Sequence, residues 1–556
     1  MKQQIAHIKA LTGLRFVAAL LVFIHHASNL KAMGVPNVRF SLGAVGVSFF
    51  YVLSGFIMCY VYGDRLEKKD VLKYLVTRVA RIWPLHLCCL LIFLVMFESW
   101  DTLVNTPHET TKLAVNALLL QSWTASEDWV ISFNGPSWSL STEMAFYFFF
   151  PLFILIGKRR FPAVYIALGV FTILAIGGLD WCNANKVLPT WVDVANLPQA
   201  FPLLRLFEFA TGIATAYLFS ARKQTEEAPH SFVRDTLFEV LSLSLVIGFL
   251  VLAQKAKLMQ VLIQLSGPAA GNYFRFSGTV FVFAVVIFVF AQSRGMFGRF
   301  FSLRPIFYLG EISFSFYLVH RMVIRWMVKK VWLADYFPHG TVLIVVFLLC
   351  VGFSALLFTF VEIPCKQAIL AFYEQSGSIL SRFGKCLHAY WVSARKFAST
   401  NMFRVSVVIM ALLIGMIIWM GNKETQFEDT WRVISRSDAE YRDVDFGEQA
   451  TLKGLALKAN KINLTLEMIW QPKKADSQDL SIVLYNEQGD LIEPKSPVQH
   501  VELDRGFKQF WFEERKYPLP KIKRGSYFEI KFTGDDSTTE SETLRVAVPA
   551  KFIKAE

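Results

Sequence analysis

Residues 11–30 read LTGLRFVAALLVFIHHASNL, an apolar run of near-bilayer length that nevertheless carries Arg15, His25 and His26. In a helix of 3.6 residues per turn, the eleven-residue step from Arg15 to His26 is almost three whole turns. Both side chains then share one face, roughly 16 Å apart along the axis, with His25 about 100° round from them. Ionisable groups at bilayer depth usually face a polar cavity or a ligand pathway, so this stripe is a candidate site. A snorkelling arginine and interfacial histidines are the plainer reading. The run is interrupted by Arg15 and longer than a signal-peptide core, so it is expected to remain as a span.

The rest of the chain repeats the apolar texture. Of 556 residues 54% are hydrophobic and 52 are Phe, against 18% charged, and mean hydropathy is +0.41. Eleven spans are expected, near 11–30, 43–62, 82–100, 139–157, 162–179, 199–219, 236–253, 277–292, 306–331, 341–361 and 403–420. Lys and Arg concentrate at 63–81, 158–160, 220–235, 293–305 and 362–402, which predicts a cytoplasmic N-terminus and an external segment after 420; only the basic loop 254–276 fits poorly. The net charge of +13 divides accordingly, because residues 421–556 hold 21 Lys/Arg against 24 Asp/Glu. Basicity here belongs to membrane topology and gives no argument for nucleic acid. All seven cysteines precede residue 420, so no disulfide framework is expected in the tail, and no zinc-like spacing occurs.

Residues 421–450 are polar and acidic. Short alternating stretches follow, among them INLTL at 462–466, SIVLY at 481–485, YFEIKF at 527–532 and TLRVAV at 543–548, the pattern of a small all-β sandwich. The expected fold class is thus a polytopic α-helical membrane protein of about ten plus one spans, followed by that β domain.

Polar residues inside the spans point to chemistry. Gly43, Gly46 and Gly55 permit close helix approach in the second span, where Ser54 places a hydroxyl at depth. Arg78 and Arg81 sit at i and i+3 at the inner edge of the third, a pair suited to phosphate oxygens. Glu143 enters the fourth span just below Trp138, and a histidine with a carboxylate that fixes its tautomer is the usual apparatus for taking a proton from a hydroxyl. His320 follows an aromatic, serine-rich stripe and is either a buried histidine bonded to a neighbouring hydroxyl or a donor-channel ligand. Glu362, beside Pro364, reads as an inner-surface cap or ion-pair partner.

Six motifs in order resemble the integral-membrane acyltransferase 3 family of bacterial glycan O-acyltransferases, over about residues 8–370. They are Arg15, ten residues and His26; Gly46-Val47 with Phe50 to Phe56; Arg78 to Pro84; Trp138-Ser139-Leu140 with Glu143 and Phe146-Tyr147; Ser313 to His320; and Glu362-Ile363-Pro364. The resemblance implies an inner-membrane enzyme with no bound cofactor, using cytoplasmic acetyl-CoA as co-substrate to modify a surface glycan of the O-antigen, capsule, exopolysaccharide or peptidoglycan class. It makes His26 catalytic and places Arg15, Arg78 and Arg81 on the donor side, with Ser54 and His320 also expected there and Trp138 and Tyr317 expected at the acceptor. Met144 stands where the family has a second acidic residue. The tail has no Gly-Asp-Ser block and His500 lacks an Asp-x-x-His context, so an esterase domain of the SGNH type is not expected there. Trp470, Phe510, Trp511 and Phe512 either stack on sugar rings or fill a core.

The expected organisation is a membrane acyltransferase domain at 1–370, a basic interfacial linker at 371–402, an extra span at 403–420, a linker at 421–450 and an extracytoplasmic β domain at 451–556. The expected mechanism has His26, oriented by Glu143 or another carboxylate, deprotonating the acceptor hydroxyl for direct attack on the thioester. A covalent acyl intermediate on Ser54, Ser315 or His26 is the rival within the enzyme class. A transporter or flippase for a small solute or lipid-linked sugar is the alternative from another class, though no inverted repeat is visible. A sensor with an external ligand-binding domain would need a cytoplasmic output domain, and none is evident.

Overall fold

The computed structural model of the chain describes residues 8–33, 45–63, 65–98, 106–189, 191–225, 231–253, 261, 263–292, 295–328, 341–374 and 379–417, and nine strands between 444 and 547. The chain divides into two units, Met1–Met416 and Ile417–Glu556.

The first unit is helical because long apolar runs satisfy every backbone group internally only as helices once water is excluded. Among the described residues, nine helices are long and apolar enough to cross a membrane: Lys9–Leu30, Val45–Tyr62, Lys68–Phe97, Gly135–Ile156, Phe161–Ala184, Pro202–Arg222, Phe232–Leu252, Pro268–Gln292 and Thr341–Glu374. A bent pair, Gly384–Ala398 and Asn401–Ile417, meets at 78° and raises the number to ten if it is one span. The expected 306–331 span is instead two helices, Arg304–Glu311 and Ser313–Val328, broken at Ile312. The second carries His320, Arg321 and Arg325 in only 16 residues.

The second unit, taken by itself, holds β1 (Val444–Phe446), β2 (Ala450–Ala459), β3 (Asn463–Pro472), β4 (Asp479–Tyr485), β5 (Leu491–Ile492), β6 (Gln499–Arg505), β7 (Lys508–Pro518), β8 (Tyr527–Thr533) and β9 (Thr543–Ala547). They form two antiparallel ladders, ordered β1-β2-β3-β7-β6 and β5-β4-β8-β9, with an irregularity between Leu452 and Gly454. Each ladder is described by its backbone pairing. The expected fold class is therefore corrected on two counts. Among the described residues the ten-plus-one spans become nine membrane-length helices and a bent pair, and the small all-β sandwich is not retained. The expected 421–450 linker lies outside the described residues except at 444–446 and 450.

The helix Val45–Tyr62 packs hard on the helix Pro202–Thr225. A Cβ at Gly55 would fall on the Phe209 carbonyl oxygen, and one at Gly212 on that of Val52, so both glycines are required by backbone approach. Phe209 fills the space beside them, with ring centroids 5.1 Å from Phe146 and 6.2 Å from Phe150. Of the other glycines expected to allow close approach, Gly46 lies against the Ala18 backbone and Gly43 is outside the described residues. Gly55→Val or Gly212→Val should lower the melting temperature and the yield of monodisperse protein, since overpacking typically costs about 1–3 kcal/mol or more. Gly177→Val, whose Cβ meets nothing within 4 Å among the described residues, should leave both unchanged. Equal behaviour of the three variants in a detergent melting assay would contradict this packing.

Candidate active site

Arg15 and His26 both come from the helix Lys9–Ala27 and open onto neighbouring cavities. The larger, about 340 Å³, is lined by Arg15, Ser54, Arg81, Glu143 and Tyr147 among mostly apolar side chains. The smaller, about 60 Å³, is lined by His25, His26, Trp138, Gln199 and Arg321. Val47 and Tyr317 line both, so these two side chains form the partition between the arginine side and the histidine side. Tyr317 is held in that partition by its hydroxyl, 2.8 Å from Ser139 Oγ and 3.2 Å from the Pro136 carbonyl.

The histidine side is built on one long-range contact. His320 Nδ1 lies 2.6 Å from the Tyr317 carbonyl and, as the only group there with a proton to give, donates to it. In the neutral ring His320 Nε2 is then an acceptor, and it lies 3.0 Å from His26 Nδ1. His26 Nδ1 is also 3.0 Å from the Val22 carbonyl. Two acceptors facing the same nitrogen place the His26 proton on Nδ1 and leave the Nε2 lone pair available to accept another. The second histidine thus fixes both tautomer and orientation, the service usually given by a carboxylate.

The arginine side is a charge cluster. The helix Val71–Phe97 starts early enough to carry both Arg78 and Arg81. Arg81 reaches the cavity, whereas Arg78 is buried behind it, donating through Nη2 to the Tyr62 hydroxyl at 3.0 Å and packing over the Tyr62 and Tyr147 rings. Glu143 accepts from Ser54 Oγ at 3.2 Å and from the Tyr147 hydroxyl at 2.5 Å. Glu362, in a π turn at Phe358–Glu362, accepts from Ser315 Oγ at 2.7 Å and lies within electrostatic range of Arg15 and Arg81. Guanidinium groups in such a site match phosphate oxygens through paired donors.

Two expected placements are corrected. Glu143 is not the partner of His26: its hydrogen bonds tie it to Ser54 and Tyr147 on the arginine side, because it projects from the helix Trp138–Ile156 into the larger cavity. His320, expected on the donor side, is instead the residue that orients His26. Trp138 and Tyr317 do reach the His26 cavity. His25 lines it too, with ring centroid 5.1 Å from that of His26, so the helical stripe does not separate the two histidines. Among the described residues no group of three His, Cys, Asp or Glu side chains has metal-binding geometry.

Sequence reasoning passed over two features. Arg321 and Arg325, one and five residues beyond His320, end the same helix. Arg205 and Glu208 form a buried ion pair at 3.2 Å, with Arg205 bonded to Ser277 Oγ at 2.6 Å and lying over the Tyr51 ring. The signal for both was an ionisable residue inside an apolar run, the rule already applied to Arg15.

Membrane-length helices with ionisable side chains gathered inside their bundle define an integral membrane protein. The chain belongs to the acyltransferase 3 family, whose model, described as an acyltransferase domain, matches residues 8–361. It is 29% identical over 342 residues to acyltransferase MdmB of Streptomyces mycarofaciens, covering 59% of this chain and 81% of that one. It is 24% identical over 388 residues to O-acetyltransferase OatA of Staphylococcus aureus, covering 65% of this chain and 57% of the relative. No solved structure matches the chain.

His320→Ala removes one of the two acceptors facing His26 Nδ1–H, leaving the Val22 carbonyl, and turnover should fall by up to about 10² with donor KM unchanged. His320→Gln, whose amide oxygen can accept, should recover part of the loss. A native kcat in His320→Ala would take His320 out of the site.

Proposed function

We propose that the protein transfers an acetyl group from cytoplasmic acetyl-CoA to a hydroxyl of a surface or lipid-linked glycan at the outer side of the bacterial inner membrane. The observation that carries this reading is the pair of cavities sharing Val47 and Tyr317, with phosphate-matching arginines on one side and a histidine base on the other. Arg15 and Arg81 hold the donor phosphates, and the acylated arm runs toward the partition. His26 Nε2 takes the proton of the acceptor hydroxyl as that oxygen attacks the thioester carbonyl. The carbon–sulfur bond then breaks, and the proton passes from His26 to the departing CoA sulfur, leaving an ester on the glycan. Family membership supports acyl transfer. The name of OatA, an O-acetyltransferase, supports acetyl as the group and oxygen as the acceptor atom. The Lys/Arg bias supports a cytoplasmic N-terminus with residues 451–556 outside, where a glycan-holding tail would raise the local concentration of a polymeric acceptor.

Membranes containing the protein should move label from radioactive acetyl-CoA into alkali-labile ester on a candidate surface glycan. Arg15→Gln and Arg81→Gln should each raise donor KM roughly tenfold, the scale of one lost charge-assisted hydrogen bond, with acceptor KM unmoved. A shift confined to acceptor KM would put the arginines on the other side of the reaction.

A further inference from the structure

A third cavity, about 530 Å³, lies at the end of the bundle where the helices Val71–Phe97 and Ser313–Val328 finish and the turn before Trp138 begins. It is lined by Phe93, Phe133, Asn134, Arg321 and Arg325, and no Asp or Glu lines it among the described residues. Arg321 and Arg325, at i and i+4, share a helix face. Neither has a carboxylate partner among the described residues, and Arg325 lies over the Phe93 and Phe97 rings at 5.0 and 4.8 Å. Arg321 also lines the His26 cavity, so the two spaces adjoin through its side chain. It lies so close to Gly135 that a Cβ there would overlap the guanidinium.

Two details mark a built site. Asn134 is buried, donates through Nδ2 to the Leu318 carbonyl at 3.0 Å, and leaves Oδ1 without a partner among the described residues. A buried acceptor left without a donor is destabilising. Phe133 holds φ at 55°, a left-handed conformation that a bulky residue keeps only where its surroundings impose it. Two guanidinium groups without a carboxylate partner among the described residues, an amide for a hydroxyl and aromatic faces for a sugar ring together describe one ligand chemistry.

We propose that this cavity is the acceptor subsite and that the acceptor is a sugar bearing an oxyanion, either a carboxylate or a phosphate. The proposal rests on the transfer reading for the word acceptor, and its test needs no donor. The full chain in nanodiscs of uncharged phosphatidylcholine would be titrated, by equilibrium dialysis, with a tetrasaccharide alternating glucuronate and N-acetylglucosamine and with its neutral methyl ester. The acid should bind at least about tenfold more tightly than the ester, and less so as salt rises. In Arg325→Gln that preference should shrink to within about threefold, with partial recovery in Arg325→Lys. Gly135→Ala, which dislodges Arg321, gives a second route to the same loss. Competition by glucose 1-phosphate would extend the site to phosphate, and failure to compete would restrict it to carboxylate. Equal binding of acid and ester, no binding of either by the native chain, or an acid preference untouched in a monodisperse Arg325→Gln would overturn the proposal. Loss of transfer with this binding intact would instead contradict the transfer reading.

Discussion

An ionised or titratable side chain inside an apolar bundle has to be met by a partner, and that constraint orders the site in the helical unit. Glu143 is met by Ser54 and Tyr147, Glu362 by Ser315, Arg78 by Tyr62, and Arg205 by Glu208 and Ser277. Each pairing crosses between helices except Glu143 to Tyr147 and Arg205 to Glu208, so the hydroxyl contacts that solvate the charges also fix the helices around the cavities. Removing one member of a buried charge pair typically costs about 3–5 kcal/mol, which makes the polar site a structural element as well as a chemical one.

The two histidines follow the same logic with a different result. His320 spends its Nδ1 proton on its own helix and turns Nε2 toward His26 Nδ1, so both of its nitrogens and one of His26 are committed. Among the described residues, His26 Nε2 is the one nitrogen of the pair left uncommitted, beside a partition whose far side is lined by arginines. On the proposed reading, an acyl donor with phosphates and an acceptor hydroxyl have separate approaches to one reacting point, where proximity favours transfer.

Much of the helical architecture is legible because a membrane span must be apolar for about 20 residues, and few soluble elements are. The 306–331 run reads as one span since its Phe and Tyr residues conceal the break at Ile312. Helical periodicity puts Arg15 and His26 on one face, but it cannot say which helix lies opposite. His320 is 294 residues from His26, and only packing brings them to 3.0 Å. Glu143 shows the same limit: its depth in the fourth span suits His26, yet its rotation about that helix faces Ser54. In the tail, alternation of apolar and polar residues finds strands, but their pairing across two ladders, with β7 beside β3, depends on contacts distant in sequence.

The central claim is that donor binding and proton removal are separate tasks, divided between the arginine side and His26. Purified His26→Ala in nanodiscs tests it most directly, with labelled acetyl-CoA binding and acetyl transfer measured on one preparation. A donor dissociation constant within about twofold of native, with transfer lowered by at least about 10², is the predicted result. Transfer at the native rate, or donor affinity lost together with it in a folded variant, would contradict the account.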